Sequence, residues 1–195
     1  MWETLYVVVN MLAMFVSFAC CADMVMEKPS VNQKYLMLIC ICGFITTVGN
    51  AMEVFAYTEE VAIAAIKVAY IGKCYIMLFS LLFVGNYCRV RLPKLLIGFH
   101  GIANSIILSL IMSLDKHKLY YKSYSFETRI NGRIAIIPEA GILYYMWLAL
   151  FIASILIYVF IAAKKVKNSS KILTLRLNMI CLTAIVPFVC ALLFI

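Results

Sequence analysis

The sequence predicts an all-α polytopic membrane protein, a bundle of six transmembrane helices carrying one β-hairpin-like loop on its outer side. Three observations predict it. Of the 195 residues, 66% are hydrophobic and only 13% charged, and the mean hydropathy of +1.02 lies far above that of soluble domains. Apolar stretches recur at lengths that cross a hydrocarbon core of about 30 Å. Lysine and arginine gather in alternate breaks between those stretches.

The helices follow in order over approximately 5–26, 34–57, 61–87, 92–114, 141–163 and 173–195. No Lys or Arg precedes Lys28, so the first stretch lacks the basic start of a secretory signal and reads as a retained helix. The polar run from Glu27 to Gln33 contains Pro29, which ends that helix. Thr58, Glu59 and Glu60 separate the second helix from the third, and Arg89 to Lys94 separate the third from the fourth. Breaks this short make neighbouring helices antiparallel. Asn168, Ser169 and Ser170 interrupt the last polar run, and Pro187 predicts a kink in the sixth helix. There is no internal repeat or low-complexity tract, so residues 1–195 form a single domain; its apolar end at Ile195 is what a piece of a longer chain would show.

Charge orients the bundle. With the N-terminus outside, the inner breaks hold ten basic residues and the outer loops five, all five between Lys116 and Arg133. The positive-inside bias therefore predicts an N-out protein. The net charge of +8 sits at inner helix ends beside anionic lipid headgroups, which accounts for it without a nucleic-acid partner.

Residues 115–140 form the one long loop. Ser123 to Ile130 alternates polar and apolar residues, Asn131-Gly132 follows, and Arg133 to Ile137 is again β-prone. Asn-Gly between such runs favours a hairpin with a type I′ turn. Because an isolated two-stranded hairpin is marginal, it is expected to rest on the outer mouth of the bundle as a lid.

Two opposite charges stand out in apolar surroundings, Glu53 and Lys67, on either side of the Thr58 to Glu60 break. Charge at membrane depth is costly and marks function. In an antiparallel pair both lie roughly 9 to 12 Å below the turn, which predicts that they face each other. Thr46, Gly49, Asn50, Glu53 and Tyr57 share one stripe of the second helix, and Lys67, Tyr70, Cys74, Leu78 and Leu81 one face of the third. Asn50, Glu53, Tyr57, Lys67 and Tyr70 are thus the candidate ligand-binding residues of an outer polar pocket. Lys73 points about 120° away from Lys67 and needs a partner that spacing alone does not name. Asn10, Asn86, His100, Asn104 and Asn178 read as inter-helix hydrogen bonds.

The eight cysteines have no paired CxxC spacing and read as small core or lipid-facing residues. No metal and no cofactor is implied. There are only two histidines, His100 and His117, and neither an HExxH nor a GxSxG motif, so catalysis is not expected. The weak Cys88 and His100 pairing is a poor match to the membrane peptidases that mature quorum peptides.

Several short motifs align the chain with a known family: Glu53 near the end of the second helix, Lys67-Val68-Ala69-Tyr70-Ile71-Gly72 early in the third, His117-Lys118-Leu119-Tyr120-Tyr121 after the fourth, and Ala140-Gly141-Ile142-Leu143-Tyr144-Tyr145 opening the fifth. In these the chain resembles the membrane-embedded N-terminal seven-helix sensor region of bacterial histidine kinases and diguanylate cyclases, here ending after six helices. The resemblance implies a ligand-sensing input module in the bacterial inner membrane, working as a homodimer and passing occupancy to a cytoplasmic output domain that this sequence does not contain. The alternative is the substrate-capturing membrane subunit of a vitamin-type uptake transporter, for which Ser17 to Cys21 would be a small-residue docking contact; a third is a bare membrane anchor.

Overall fold

A computed structural model describes residues 2–26, 30–129 and 132–166. The helices are α1 (Trp2–Met26), α2 (Val31–Val54), α3 (Glu59–Tyr87), α4 (Lys94–Met112) and α5 (Ile142–Val166), with strands β1 (Tyr121–Thr128) and β2 (Ile134–Ala140) between α4 and α5. All five helices are long and apolar enough to cross a membrane. The expected sixth helix, its kink at Pro187 and the break at Asn168 lie outside the described residues.

Local chemistry sets the helix limits. α2 begins three residues earlier than its apolar stretch because Ser30 and Gln33 form a capping box: Gln33 N donates to Ser30 Oγ at 3.4 Å and Ser30 N to Gln33 Oε1 at 2.8 Å. Thr58 Oγ1 accepts from Val61 N at 3.3 Å, so the "polar break" Glu59 and Glu60 is the first turn of α3, where carboxylates favour the helix dipole. α3 closes in a Schellman motif. Val90 N donates to Gly85 O at 2.8 Å and Arg89 N to Asn86 O at 3.1 Å, which puts Arg89 in the left-handed region at φ 56°.

α3 is the axis of the bundle, buried along Ala62, Ala65, Ala69, Gly72, Cys74, Leu78 and Leu81. α2 lies along it at very close range. A Cβ at Gly49 would run into the Ala69 backbone, and one at Gly72 into the Cys42 carbonyl and the Thr46 hydroxyl. Thr46 Oγ1 donates to Cys42 O at 2.8 Å and approaches Ala69 O at 3.4 Å. This is the small-residue packing by which membrane helices associate without a hydrophobic drive. Of the expected inter-helix hydrogen bonds, Asn10 Nδ2 reaches Thr47 O at 2.8 Å and Asn86 Nδ2 reaches Asn32 Oδ1 at 2.6 Å. Large side chains such as Leu12, Phe15, Leu95 and Phe160 point outward, as lipid-facing surface does.

β1 and β2 pair antiparallel, with an irregularity between Tyr121 and Ser123 that leaves Lys122 without a partner in the register. The turn closes with Arg129 N on Arg133 O at 2.7 Å and Gly132 N on Arg129 O at 2.9 Å. Gly132 takes φ +72°, a value that needs no Cβ. Asn131, the other half of the expected type I′ turn, lies outside the described residues.

Candidate functional site

The hairpin is seated on the turn between α2 and α3. Ile134 N donates to Ala56 O at 2.8 Å, and the Arg133 guanidinium stacks 5.0 Å from the Phe55 ring centre. Behind it, Gly141 N donates to Tyr120 O at 2.8 Å. A Cβ at Gly141 would press on the Leu119 and Tyr120 carbonyls at 2.7 Å. Tyr120, Tyr121 and Ile136 therefore join Ala56, Ala62, Ile66, Tyr70, Ile107 and Ile111 in one buried cluster. The hairpin gains from the bundle the burial that it lacks alone.

Its centre is aromatic. The Tyr70 and Tyr121 hydroxyls lie 3.0 Å apart. Tyr120 meets Tyr70 edge-on at 5.5 Å and Tyr121 at 5.0 Å, and Trp147 lies 5.7 Å from Tyr70. Each such ring pair adds about 0.5–1.5 kcal/mol beyond its buried area. Burial, then the neighbouring Tyr70, pushes the Tyr121 hydroxyl far above its ordinary range, with Tyr144 and Glu53 acting in the same direction. It therefore stays a neutral phenol, and the Tyr70 to Tyr121 contact is a neutral hydrogen bond. The Tyr120 hydroxyl is wholly buried with no hydrogen-bond partner among the described residues.

Helix geometry sets Glu53 and Lys67 at similar depth but on different sides of α3. Gly49 touches Ala69 and Thr46 touches Gly72, so Glu53 is level with about Ala65, and Lys67 is only about 3 Å deeper. Depth is matched, as expected, but azimuth is not. At about 100° per residue, Lys67 lies roughly 160° round α3 from both Ala65 and Ala69, the residues turned to α2. Lys67 lines a gap on the other side with Ile63, Ile66, Leu114, Tyr121, Tyr124 and Ile136, beneath the hairpin, and that gap is closed to water. The cation on the α2 side is Lys73, roughly 40° from Ala69. Helical side chains lean toward the helix N-terminus, so Lys73 climbs toward the turn. Its Nζ sits 5.2 Å from the Tyr70 ring centre and within electrostatic reach of Glu53.

Of the other candidates, Tyr70 is the buried hub of the cluster, Asn50 is half-buried on α2, and Tyr57 is 61% exposed at the rim. Tyr120, Tyr121 and Trp147 were not singled out as candidates from the sequence. Their signal was the density of aromatic residues on both sides of the loop, Tyr120-Tyr121 and Tyr144-Tyr145-Met146-Trp147.

Membrane-length helices around a single long axis, with a hairpin sealed over a tyrosine cluster and lysines at membrane depth, define a polytopic membrane module. The chain belongs to the family of the N-terminal 7TM region of histidine kinase, whose model matches residues 5–195. It is thus related to the sensor input part of a kinase and not to its catalytic part. No curated protein and no solved structure matches it.

Proposed function

We propose that the chain is the ligand-sensing input module of a bacterial signalling protein, and that its ligand binds beneath the hairpin, at the outer end of the bundle. Lys67 and Tyr121 line the gap there; in this reading Asn50, Glu53, Tyr70 and Tyr120 contribute from the surrounding elements when the hairpin lifts, with Tyr57 at the rim. The observation that carries this reading is the closed gap under the hairpin, walled on one side by Lys67 and on the other by Tyr121. A lysine held there, with the buried Tyr120 hydroxyl in the adjoining cluster, offers charge and hydrogen bonds to a small carboxylate, and Glu53 offers the same to an amine. A ligand that enters only when the hairpin lifts binds one arrangement better than the other, which is the requirement for shifting a population. A homodimer would carry that shift across the membrane to a cytoplasmic output domain.

The test is a thermal-unfolding screen of the full chain in lipid nanodiscs against short monocarboxylates and primary amines. A saturable rise in Tm is expected from one of these classes, and it should vanish in the Glu53→Gln, Lys67→Met double variant. Binding that persists unchanged in that variant would remove these residues from the site.

A further inference from the structure

β1 and β2 form a two-stranded sheet, so each strand has an outer edge, and the register decides which backbone groups point there. Arg129 N bonds Arg133 O inside the hairpin at 2.7 Å, whereas Ile134 N turns outward to Ala56 O at 2.8 Å. Thr128 and Ile134, which are paired in the register, therefore exchange no hydrogen bond. Antiparallel alternation repeats this at Phe126 with Ile136 and at Tyr124 with Pro138. The N–H and C=O groups of Tyr124, Phe126 and Thr128 thus point away from β2. Among the described residues no other element hydrogen-bonds to them. The outer edge of β2 is closed, because Ala56 takes the Ile134 N–H and Pro138 has none. β1 carries no proline or lysine between Tyr124 and Thr128, so its edge is a template for another strand.

The sheet lies across the end of the bundle. Tyr121 and Ile136 belong to the buried cluster beneath it, and Tyr124 and Phe126 pack on that cluster. Ser123, Ser125 and Glu127 are exposed on the opposite face. Two copies of one strand join edge to edge and antiparallel about a two-fold axis perpendicular to the sheet. Here that axis runs along the helices and hence along the membrane normal, the one direction that keeps both copies in the same membrane orientation. Self-pairing of β1 therefore meets the closed two-fold symmetry of a homodimer.

We propose that the free edge of β1 is a homodimer interface, pairing antiparallel with β1 of a second copy about Phe126. In this register Phe126 stands opposite its own copy and Tyr124 opposite Thr128, so the free N–H of each of the three meets a partner carbonyl. Glu127 stands opposite Ser125, whose hydroxyl donates to the carboxylate. A slip of two residues in one direction would set Glu127 against Glu127, which like charges oppose. A slip in the other would leave Thr128 opposite Lys122, where the strand is irregular. The interface rests on the homodimer of the proposed function and gives it a contact surface. It needs no ligand, so its failure leaves the ligand site standing.

The test co-expresses two differently tagged copies of the chain, one with Ser125→Cys and one with Glu127→Cys, and oxidises the membranes mildly. Residues opposed in this way have Cα atoms about 4.5 Å apart, within the disulfide range of about 4.4–6.8 Å. A disulfide-linked heterodimer is expected at several times the level given by chains with only the native cysteines, or by either substitution placed in both chains. Thr128→Pro, introduced into both copies, removes an outward N–H and no hydrogen bond of the hairpin, so it should abolish the heterodimer. Thr128→Ala keeps the N–H and should retain it, and thermal unfolding reports that each variant is folded. A heterodimer no more abundant than with the native cysteines alone, or one that survives Thr128→Pro in the folded protein, would overturn the interface.

Discussion

Gly72 and Gly98 are both glycines inside membrane-length helices, and their surroundings assign them opposite roles. At Gly72 an added Cβ meets the Cys42 carbonyl and the Thr46 hydroxyl of α2, whereas at Gly98 nothing lies within 4 Å. The Gly72 contact is with backbone, which cannot rotate aside, so α2 and α3 must part. Gly72→Ala is expected to destabilise the bundle by about 1–3 kcal/mol, the usual range for overpacking. Gly98→Ala should be neutral or stabilising by up to about 1 kcal/mol, from helix propensity alone. Reversible unfolding of both variants in mixed micelles checks the contrast, and equal effects at the two positions would contradict the close α2–α3 seam. The seam also explains the fate of the two charges that stand out in the sequence. Because Ala65, Ala69 and Gly72 must face α2, Lys67 is turned away from Glu53 and Lys73 is turned toward it. Loop length made the depth of the lysines legible, but azimuth depended on which face holds the small residues. The polar pattern instead singled out the face of Lys67, Tyr70, Cys74, Leu78 and Leu81, and not the Ala69 and Gly72 face that meets α2.

The elements were legible to the extent that their ends are chemical. Helix existence follows from apolar length alone, and all five described helices stand where the hydropathy placed them, within a few residues. The shifts occur where polar residues were taken for loop although they serve as caps: Ser30 with Gln33 extends α2, and Thr58 draws Glu59 and Glu60 into α3. Both caps carry a readable signature, a Ser or Thr three residues ahead of its backbone partner. The hairpin was legible from its alternation and its glycine. Its seat was not, because Ile134 docks on Ala56 across a sequence separation that no local pattern reports. One element end departs from local preference. Arg89 occupies the left-handed position after α3, where glycine is the usual residue and a side chain costs roughly 1–2 kcal/mol. Arg89→Gly should therefore stabilise α3 by up to about 1 kcal/mol in the same unfolding assay. Arg89→Ala keeps the strain while removing the charge, so it should give no such gain. If alanine stabilises as much as glycine, charge and not backbone strain sets the effect.

For the whole molecule, orientation decides what the hairpin can meet. The hairpin and the α2–α3 turn occupy one end of the bundle, since Ile134 bonds Ala56 and Arg133 stacks on Phe55. The α3–α4 turn, with Arg89, Arg91 and Lys94, lies at the opposite end of α3. Among the described residues, Lys34, Arg89, Arg91, Lys94, Lys164 and Lys165 lie at this second end and Lys116, Lys118, Lys122, Arg129 and Arg133 in the hairpin loop, and the sequence-based expectation of ten against five favours the second end as the inner one. The hairpin is accordingly expected on the outer face, reachable by a ligand that never enters the cell. A cysteine at exposed Ser125 on β1 should react in intact cells with a membrane-impermeant maleimide, above the background from the native thiols, while one at exposed Arg91 should react only after the membrane is opened. The reverse pattern would place the hairpin in the cytoplasm. The site beneath it would then read an intracellular solute, and the charge asymmetry would have to be explained by segments other than the hairpin.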